Sequence, residues 1–348
     1  MEELTGLLSF LPIDDPSRVA EARRLAIAIA REEGLDDPLV GDAGLAATEL
    51  ATNLWKHAKG GELQVARLAG AAAPGVDVLA IDRGPGIVSI EDCLRDGYSS
   101  TGTSGTGLGA ISRCAQMFDA YSQPGKGTVM LARISASAVV NKGDAVNKGD
   151  AANKGMVVGF AGRPVSGEEV SGDSWAMREA GAISLFIVAD GLGHGVHASE
   201  ASAEAIAAFR NSTDTDPAQV LGRVHRALRG TRGAAVAVAR VDRNEHLVRY
   251  AGIGNISGIV VSPAKTQFMI SHNGTAGHEA MRFQEFVYAF PETSTLIMHS
   301  DGLTTSWNLE SYPGLKFRHP SVIAGTLYRD ATRSRDDVCV IVARHCMG

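Results

Sequence analysis

Four aspartates in the second half of the chain share one placement, at the edge of an apolar strand or just past a glycine turn. They are Asp173 in Ser-Gly-Asp, Asp190 in Val-Ala-Asp-Gly, Asp301 in His-Ser-Asp-Gly and Asp336 in Arg-Asp-Asp-Val. Strand ends of one sheet converge, so residues this far apart can build one acidic site. Unneutralised, the cluster would repel itself; hard divalent cations with oxygen ligands resolve that. Two bridged ions would also lower the pKa of a shared water and clamp a phosphoryl group. A single Asp-Gly pair usually marks a turn, but two such pairs after apolar strands, with a terminal Asp-Asp, favour a metal cluster. His194 and His197 would suit zinc, yet four hard carboxylates outvote them, and both histidines are read as helix-start polarity.

The first half carries a different chemistry. Glu49, Asn53 and His57 are spaced four apart and fall on one stripe of a helix. Asn53 can offer an oxygen to Mg²⁺, and the Glu49 carboxylate can activate a hydroxyl nucleophile. Such a stripe is more often a solvated face, and His57 is read as structural or pocket-lining. Asp82-Arg-Gly-Pro-Gly86 directly follows an apolar strand, where a carboxylate can accept a hydrogen bond from an adenine amino group. Gly102-Thr-Ser-Gly-Thr-Gly-Leu-Gly109 then leads into a helix, so backbone N–H groups and the helix N-terminus can approach phosphate.

The elements that must position these groups follow from periodicity and turn residues. Asp15-Pro16 starts a helix with Val19, Ala22, Ala26 and Ile29 on one face, ended by Gly34, and Asp37-Pro38 starts a second running to about His57. Strands are expected at 62–68, 76–81 and 127–134, giving an α/β sandwich over residues 1–135. Residues 136–155 contain the repeat Asn-Lys-Gly-Asp-Ala-(Val/Ala), which offers nothing to bury and reads as a flexible linker. It would let the flanking domains act independently. Beyond it, strands at 183–189, 234–241, 247–252, 256–261, 295–299 and 338–343, with helices at 198–210, 217–228 and 321–328, suggest an α+β layered sandwich over 156–348.

The order Glu-x3-Asn, Asp-x-Gly-x-Gly and Gly-x-Gly-x-Gly resembles the gyrase, Hsp90, histidine kinase and MutL (GHKL) ATPase superfamily over residues 7–134. Within it, Asp82-Arg-Gly-Pro-Gly-Ile, Asp96-Gly-Tyr-Ser-Ser and Gly105-Thr-Gly-Leu-Gly look most like the stressosome switch serine kinase and its anti-sigma-factor relatives. The resemblance implies ATP and Mg²⁺ as cofactors, Glu49 as general base, Asn53 as Mg²⁺ ligand and Asp82 as adenine contact. Gly84, Gly86, Gly105, Gly107, Leu108 and Gly109 would be nucleotide-loop positions. It also implies serines on STAS-type antagonist domains as substrates.

The set Asp190-Gly-Leu-Gly-His-Gly195, Gly252-Ile-Gly-Asn255 and Ser300-Asp-Gly302 resembles the protein phosphatase 2C superfamily, in its SpoIIE-like and stressosome-feedback branch, over residues 156–344. That implies two Mn²⁺ or Mg²⁺ ions bridged by Asp190, a Gly191 carbonyl ligand, and Asp173, Asp301 and Asp336 completing the shells. The chain departs from that pattern at Cys339, where a Thr is common, and at Ala234-Ala235. It also has no evident arginine for substrate phosphate near the start of the domain.

Composition narrows the function classes. With 348 residues, 45% apolar and 21% charged, two folded domains are expected. A formal charge of -6 gives no electrostatic footprint for nucleic acid, and no apolar run approaches a membrane span. With Glu2 and Glu3 in place of a basic N-terminal region as well, the expected compartment is the cytoplasm, and four scattered cysteines that form no CxxC pair read as reduced thiols. The leading expectation is a bifunctional regulator that phosphorylates and dephosphorylates proteins in a sigma-factor partner-switching or stress-response pathway. Its partners would be STAS-domain or stressosome-like phosphoproteins and a sigma factor or other switch protein. The alternatives are a phosphatase with a non-catalytic, nucleotide-gated binding module, and a pure sequestering protein.

Overall fold

The computed structural model describes residues 3–5, 8–68, 73–94, 107–136, 155–278, 282–333 and 335–346. In chain order the elements begin with β1 (Glu3–Thr5), β2 (Leu8–Ile13), α1 (Arg18–Glu32), α2 (Asp37–Ala58), β3 (Gly61–Arg67) and β4 (Gly75–Ile81). Next come α3 (Ile90–Cys93), α4 (Gly107–Cys114), β5 (Met117–Gln123), β6 (Gly127–Ser135), β7 (Met156–Arg163), β8 (Asp173–Ala180) and β9 (Ile183–Gly191). The chain continues through α5 (Val196–Arg210), α6 (Pro217–Ala227), β10 (Ala234–Asp242), β11 (Leu247–Ile253) and β12 (Ser257–Val261). It ends with β13 (Thr266–Met269), β14 (Phe286–Ala289), β15 (Thr295–His299), α7 (Pro320–Ala331) and β16 (Val338–His345). Two compact units result: Leu7–Asn153 with Leu309–Arg329, and Met1–Gly6 with Lys154–Asn308 and Asp330–Gly348. Most of the expected linker, residues 137–154, lies outside the described residues.

In the first unit an antiparallel sheet of order β2-β3-β4-β6-β5 carries α1 and α2 on one face. Asp36 caps α2 by accepting the Leu39 N–H at 3.1 Å, and Lys59, at φ 62°, ends it in the left-handed region. Ala22, Ala26 and Ile29 of α1 and Ala47, Leu50, Ala51 and Leu54 of α2 meet Val76, Val78 and Ala80 of β4 in one core.

Every residue of β4 and β6 is buried, so both faces of the sheet are covered. The second cover is α7, whose Gly325 lets the helix approach Leu79, Ile81 and Val129. Tyr328 donates to Glu62 Oε2 at 2.5 Å. On the same face Asp77 and Arg133, directly paired across β4 and β6, form a two-bonded ion pair at 2.7 and 2.9 Å. Ser321 Oγ lies 3.4 Å from Asp77, and Asp119 accepts the His319 N–H at 2.6 Å. The helix expected at 321–328 therefore exists, but it completes the unit built on residues 7–153. Residues 309–329 therefore belong with the unit built on residues 7–153, and not with the rest of residues 156–348 as expected.

The second unit holds a six-stranded sheet, β1-β8-β9-β10-β11-β14, and a five-stranded sheet, β13-β12-β15-β16-β7, all antiparallel within each sheet. Helices α5 and α6 cover the larger sheet, where Phe209, Val220, Leu221 and Val224 pack on Leu185, Ile187, Val236 and Val238. The two units are the α/β and α+β sandwiches expected from the sequence.

Candidate functional sites

In the first unit Glu49 and Asn53 lie one turn apart on α2, each half-buried. Glu49 faces the start of α4: a side chain on Gly107 would meet its Oε2 at 2.7 Å. No described residue hydrogen-bonds Glu49. The Asn53 Nδ2 is buried without a hydrogen-bond partner among the described residues, a costly state that favours a polar ligand reaching it. His57 is exposed.

Asp82 follows β4 as expected. Its Oδ1 accepts the Gly84 N–H at 2.7 Å and the Thr128 N–H at 3.2 Å, leaving Oδ2 without a described donor. Burial raises the carboxyl's pKa, while those two N–H groups and Arg329 oppose the rise. Gly84 passes close to Ala58 at the end of α2. Gly86 needs to be glycine twice over: its φ is 73°, and a side chain there would collide with the Gln123 carbonyl. Leu108 packs against the core and Gly109 is buried. Gly105, and the glycine run up to Thr106, lie outside the described residues. Sequence reasoning missed Thr128, which sits beside Asp82 at the start of β6 and whose only cue was the preceding Gly127.

In the second unit antiparallel register sets Asp173 of β8 directly opposite Asp190 of β9. Ser300 donates to Asp173 Oδ2 at 2.6 Å and accepts the Cys339 N–H at 3.0 Å. The carboxylate is thus tied to β16. Asn255 donates to Asp301 Oδ2 at 2.6 Å. Gly191 presses against the backbone of α5 at Ala198. Asp336 is half-exposed, its Oδ1 accepting the Asp337 N–H at 3.0 Å.

These carboxylates lie close enough to perturb one another. Burial, then Asp190, pushes Asp173 well above the ordinary range. Burial, then Asp301, Asp336 and Asp337, pushes Asp190 up to about 8. Burial and Asp336 raise Asp301, against the pull of Arg333 and Asn255. Among the described residues, however, no group of three or more His, Cys, Asp or Glu side chains is arranged to hold a metal ion as it stands. The donor set still fits a hard divalent cation, because Mg²⁺ keeps several waters and needs only one or two carboxylates.

Asp337 was not singled out from sequence, although it neighbours Asp336. It is buried and accepts the Val165 and Gly172 N–H groups at 2.8 and 2.9 Å, pinning the loop before β8 beside the cluster. His194 and His197 pair with Glu168 and Glu200 at 2.7 and 3.0 Å. Cys339 is buried beside Asp173 and Asp190, which raise its thiol pKa after burial itself. No helix is long and apolar enough to cross a membrane among the described residues.

Comparison with known proteins also finds two parts in the chain, although the match to the second runs through residues 309–329. The family described as Stage II sporulation protein E (SpoIIE) matches residues 184–345, and a histidine kinase-like ATPase domain family matches residues 14–134. Serine/threonine-protein kinase RsbT of Bacillus subtilis (strain 168) is 32% identical over 114 residues, 33% of this chain and 86% of that protein. Phosphoserine phosphatase RsbX of the same organism is 25% identical over 179 residues, 51% of this chain and 89% of that protein. A structure from work on the bacterial stressosome, as a modular system adapted to control secondary messenger signalling, is 30% identical with a TM-score of 0.51. It covers 54% of this chain and 99% of its own. A crystal structure of RsbX in complex with magnesium, 23% identical with a TM-score of 0.50 over 56% of this chain and 96% of its own, shares the fold.

Proposed function

Because the chain belongs to the histidine kinase-like ATPase family in its first part and to the SpoIIE family in its second, we propose that it is a bifunctional partner-switching regulator. In this reading the second part removes phosphate from phosphoserine or phosphothreonine on partner proteins. The first part binds ATP with Mg²⁺ and phosphorylates serine on STAS-type antagonist proteins. Stressosome-like phosphoproteins and a sigma factor or other switch protein are its partners, in the cytoplasm.

The cross-strand pairing of Asp173 with Asp190, beside Asp301 and Asp336, carries the phosphatase reading. Asp190 and the Gly191 carbonyl would hold two Mn²⁺ or Mg²⁺ ions with Asp173, Asp301 and Asp336. Those ions, when bound, supply an activated water and charge neutralisation on the phosphoryl group. The chain's own part is to orient the ligands: Ser300 fixes Asp173, and Asn255 fixes Asp301. Second-layer bonds of this kind set ligand geometry.

In the first part, Asn53 would reach Mg²⁺ or phosphate, the free Oδ2 of Asp82 the adenine amino group, and Gly84, Gly86, Gly105, Gly107, Leu108 and Gly109 the nucleotide. Glu49 would take the proton of the substrate serine. One observation favours the non-catalytic alternative: no described residue hydrogen-bonds Glu49, so none of them orients it as a base. Intact chain incubated with labelled ATP and a STAS protein separates the two. Glu49→Ala should keep ATP binding and lose transfer. ATP binding by wild type without any transfer would leave a nucleotide-gated docking module.

A further inference from the structure

We propose that Arg232 is a substrate-selecting residue, which receives a carboxylate side chain next to the phosphorylated serine of the protein substrate. The proposal rests on the phosphatase reading of the Asp190 site.

Arg232 lies on the segment entering β10, and that segment is braced from several sides. Thr231 donates through Oγ1 to the Leu228 carbonyl at 2.8 Å and accepts the Gly233 N–H at 3.0 Å. His278 Nε2 stands 3.2 Å from the Thr231 carbonyl. The Leu192 N–H then donates to the Gly233 carbonyl at 3.0 Å, and Ala234 pairs in register with Gly191. Register therefore places Arg232 beside the loop that leaves Asp190. A side chain on Gly193 would meet the Arg232 Nη1 at 3.1 Å, so the guanidinium lies across that glycine.

Among the described residues Arg232 has no hydrogen bond or ion pair, whereas neighbouring arginines do. Arg223, Arg240, Arg243 and Arg249 each hold a carboxylate. The free guanidinium lines an open cavity of about 440 Å³ with His197, Glu200, Gly230 and Thr231. Glu200 is engaged by His197 at 3.0 Å, which leaves Arg232, among the described lining residues, as the cation available to a ligand. Leu192 and Val196, 44% and 62% exposed, flank the same loop and offer apolar contact to a protein chain. A guanidinium fork matches a carboxylate, and a partly covered charge pair chooses between partners more than it adds bulk affinity.

The test uses the full chain with Mn²⁺ and three substrates: an aryl phosphate, a phosphoserine peptide with Glu on both sides, and the same peptide with Lys on both sides. Wild type should prefer the acidic peptide through KM. Arg232→Glu should raise the KM of that peptide about tenfold and reverse the preference. Arg232→Lys should keep it in part. Both variants should hydrolyse the aryl phosphate at the wild-type rate, a readout that a structural role would not spare. Equal KM values for the two peptides in wild type, or a loss on the aryl phosphate matching that on the peptides, would overturn the proposal. Wild type inactive on all three substrates would instead remove the phosphatase reading beneath it.

Discussion

Replacing Asp190 by Asn should stabilise the metal-free protein while abolishing its metal response. Burial and the neighbouring Asp301, Asp336 and Asp337 hold the Asp190 carboxyl at about 8, against 3.8 for an ordinary one. A carboxyl whose folded pKa lies above its unfolded value binds its proton more tightly in the fold. Its contribution to stability is therefore present at acid pH and is lost as the pH rises from about 4 toward 8. The gap corresponds to roughly 5 kcal/mol at pH 8. Interacting carboxylates share that penalty, so one neutral substitution should recover about 2 kcal/mol, or roughly 4–8 °C in Tm. The assay is thermal unfolding of wild type and Asp190→Asn in EDTA between pH 5 and 8, repeated with Mn²⁺. Wild type should melt lower as the pH rises, the variant should melt above it at pH 8, and Mn²⁺ should raise the Tm of wild type alone. A variant that melts at or below wild type at pH 8 in EDTA would refute the argument that these carboxylates strain one another.

In the first unit, Asp82→Asn should weaken ATP binding by calorimetry at least tenfold, because the buried carboxylate is the one proposed to read the adenine amino group. Glu49→Ala should leave that affinity within about twofold. Arg133→Ala should cost about 3–5 kcal/mol in denaturant unfolding, since it strands the buried Asp77 carboxylate. A protease site placed within residues 141–153 should leave the cut chain as one species in gel filtration, because residues 309–329 are packed in the unit built on residues 7–153. Separation of the two pieces under native conditions would contradict that packing.

What the sequence made legible was local. The Glu49–Asn53 stripe, the Asp82 turn and the strand-end aspartates each depend on a few consecutive residues, and the fold places them on the elements expected, except that Asp173 opens β8, a strand not expected from the sequence. The strands Leu8–Ile13 and Met117–Gln123 escaped because both are sheet edges with broken apolar patterns. The first contains Pro12, which an edge tolerates. The second carries the inward Asp119, whose acceptors' partner, the His319 N–H, is 200 residues away. Asp337 was hidden for the same reason, since its donors Val165 and Gly172 meet it only in the folded chain. Helix α7 was readable as a helix from its own residues. Which sheet it covers depends on the complementary face of Leu79, Ile81 and Val129, which periodicity alone does not reveal.

The most direct test of the central claim is the release of phosphate from a serine-phosphorylated STAS protein by the intact chain, followed by mass spectrometry of the substrate. Phosphate should leave in Mn²⁺ or Mg²⁺, stop in EDTA, and remain in place with Asp190→Asn under every metal condition. Equal hydrolysis by wild type and Asp190→Asn, or hydrolysis undiminished by EDTA, would contradict the carboxylate site as the seat of the chemistry.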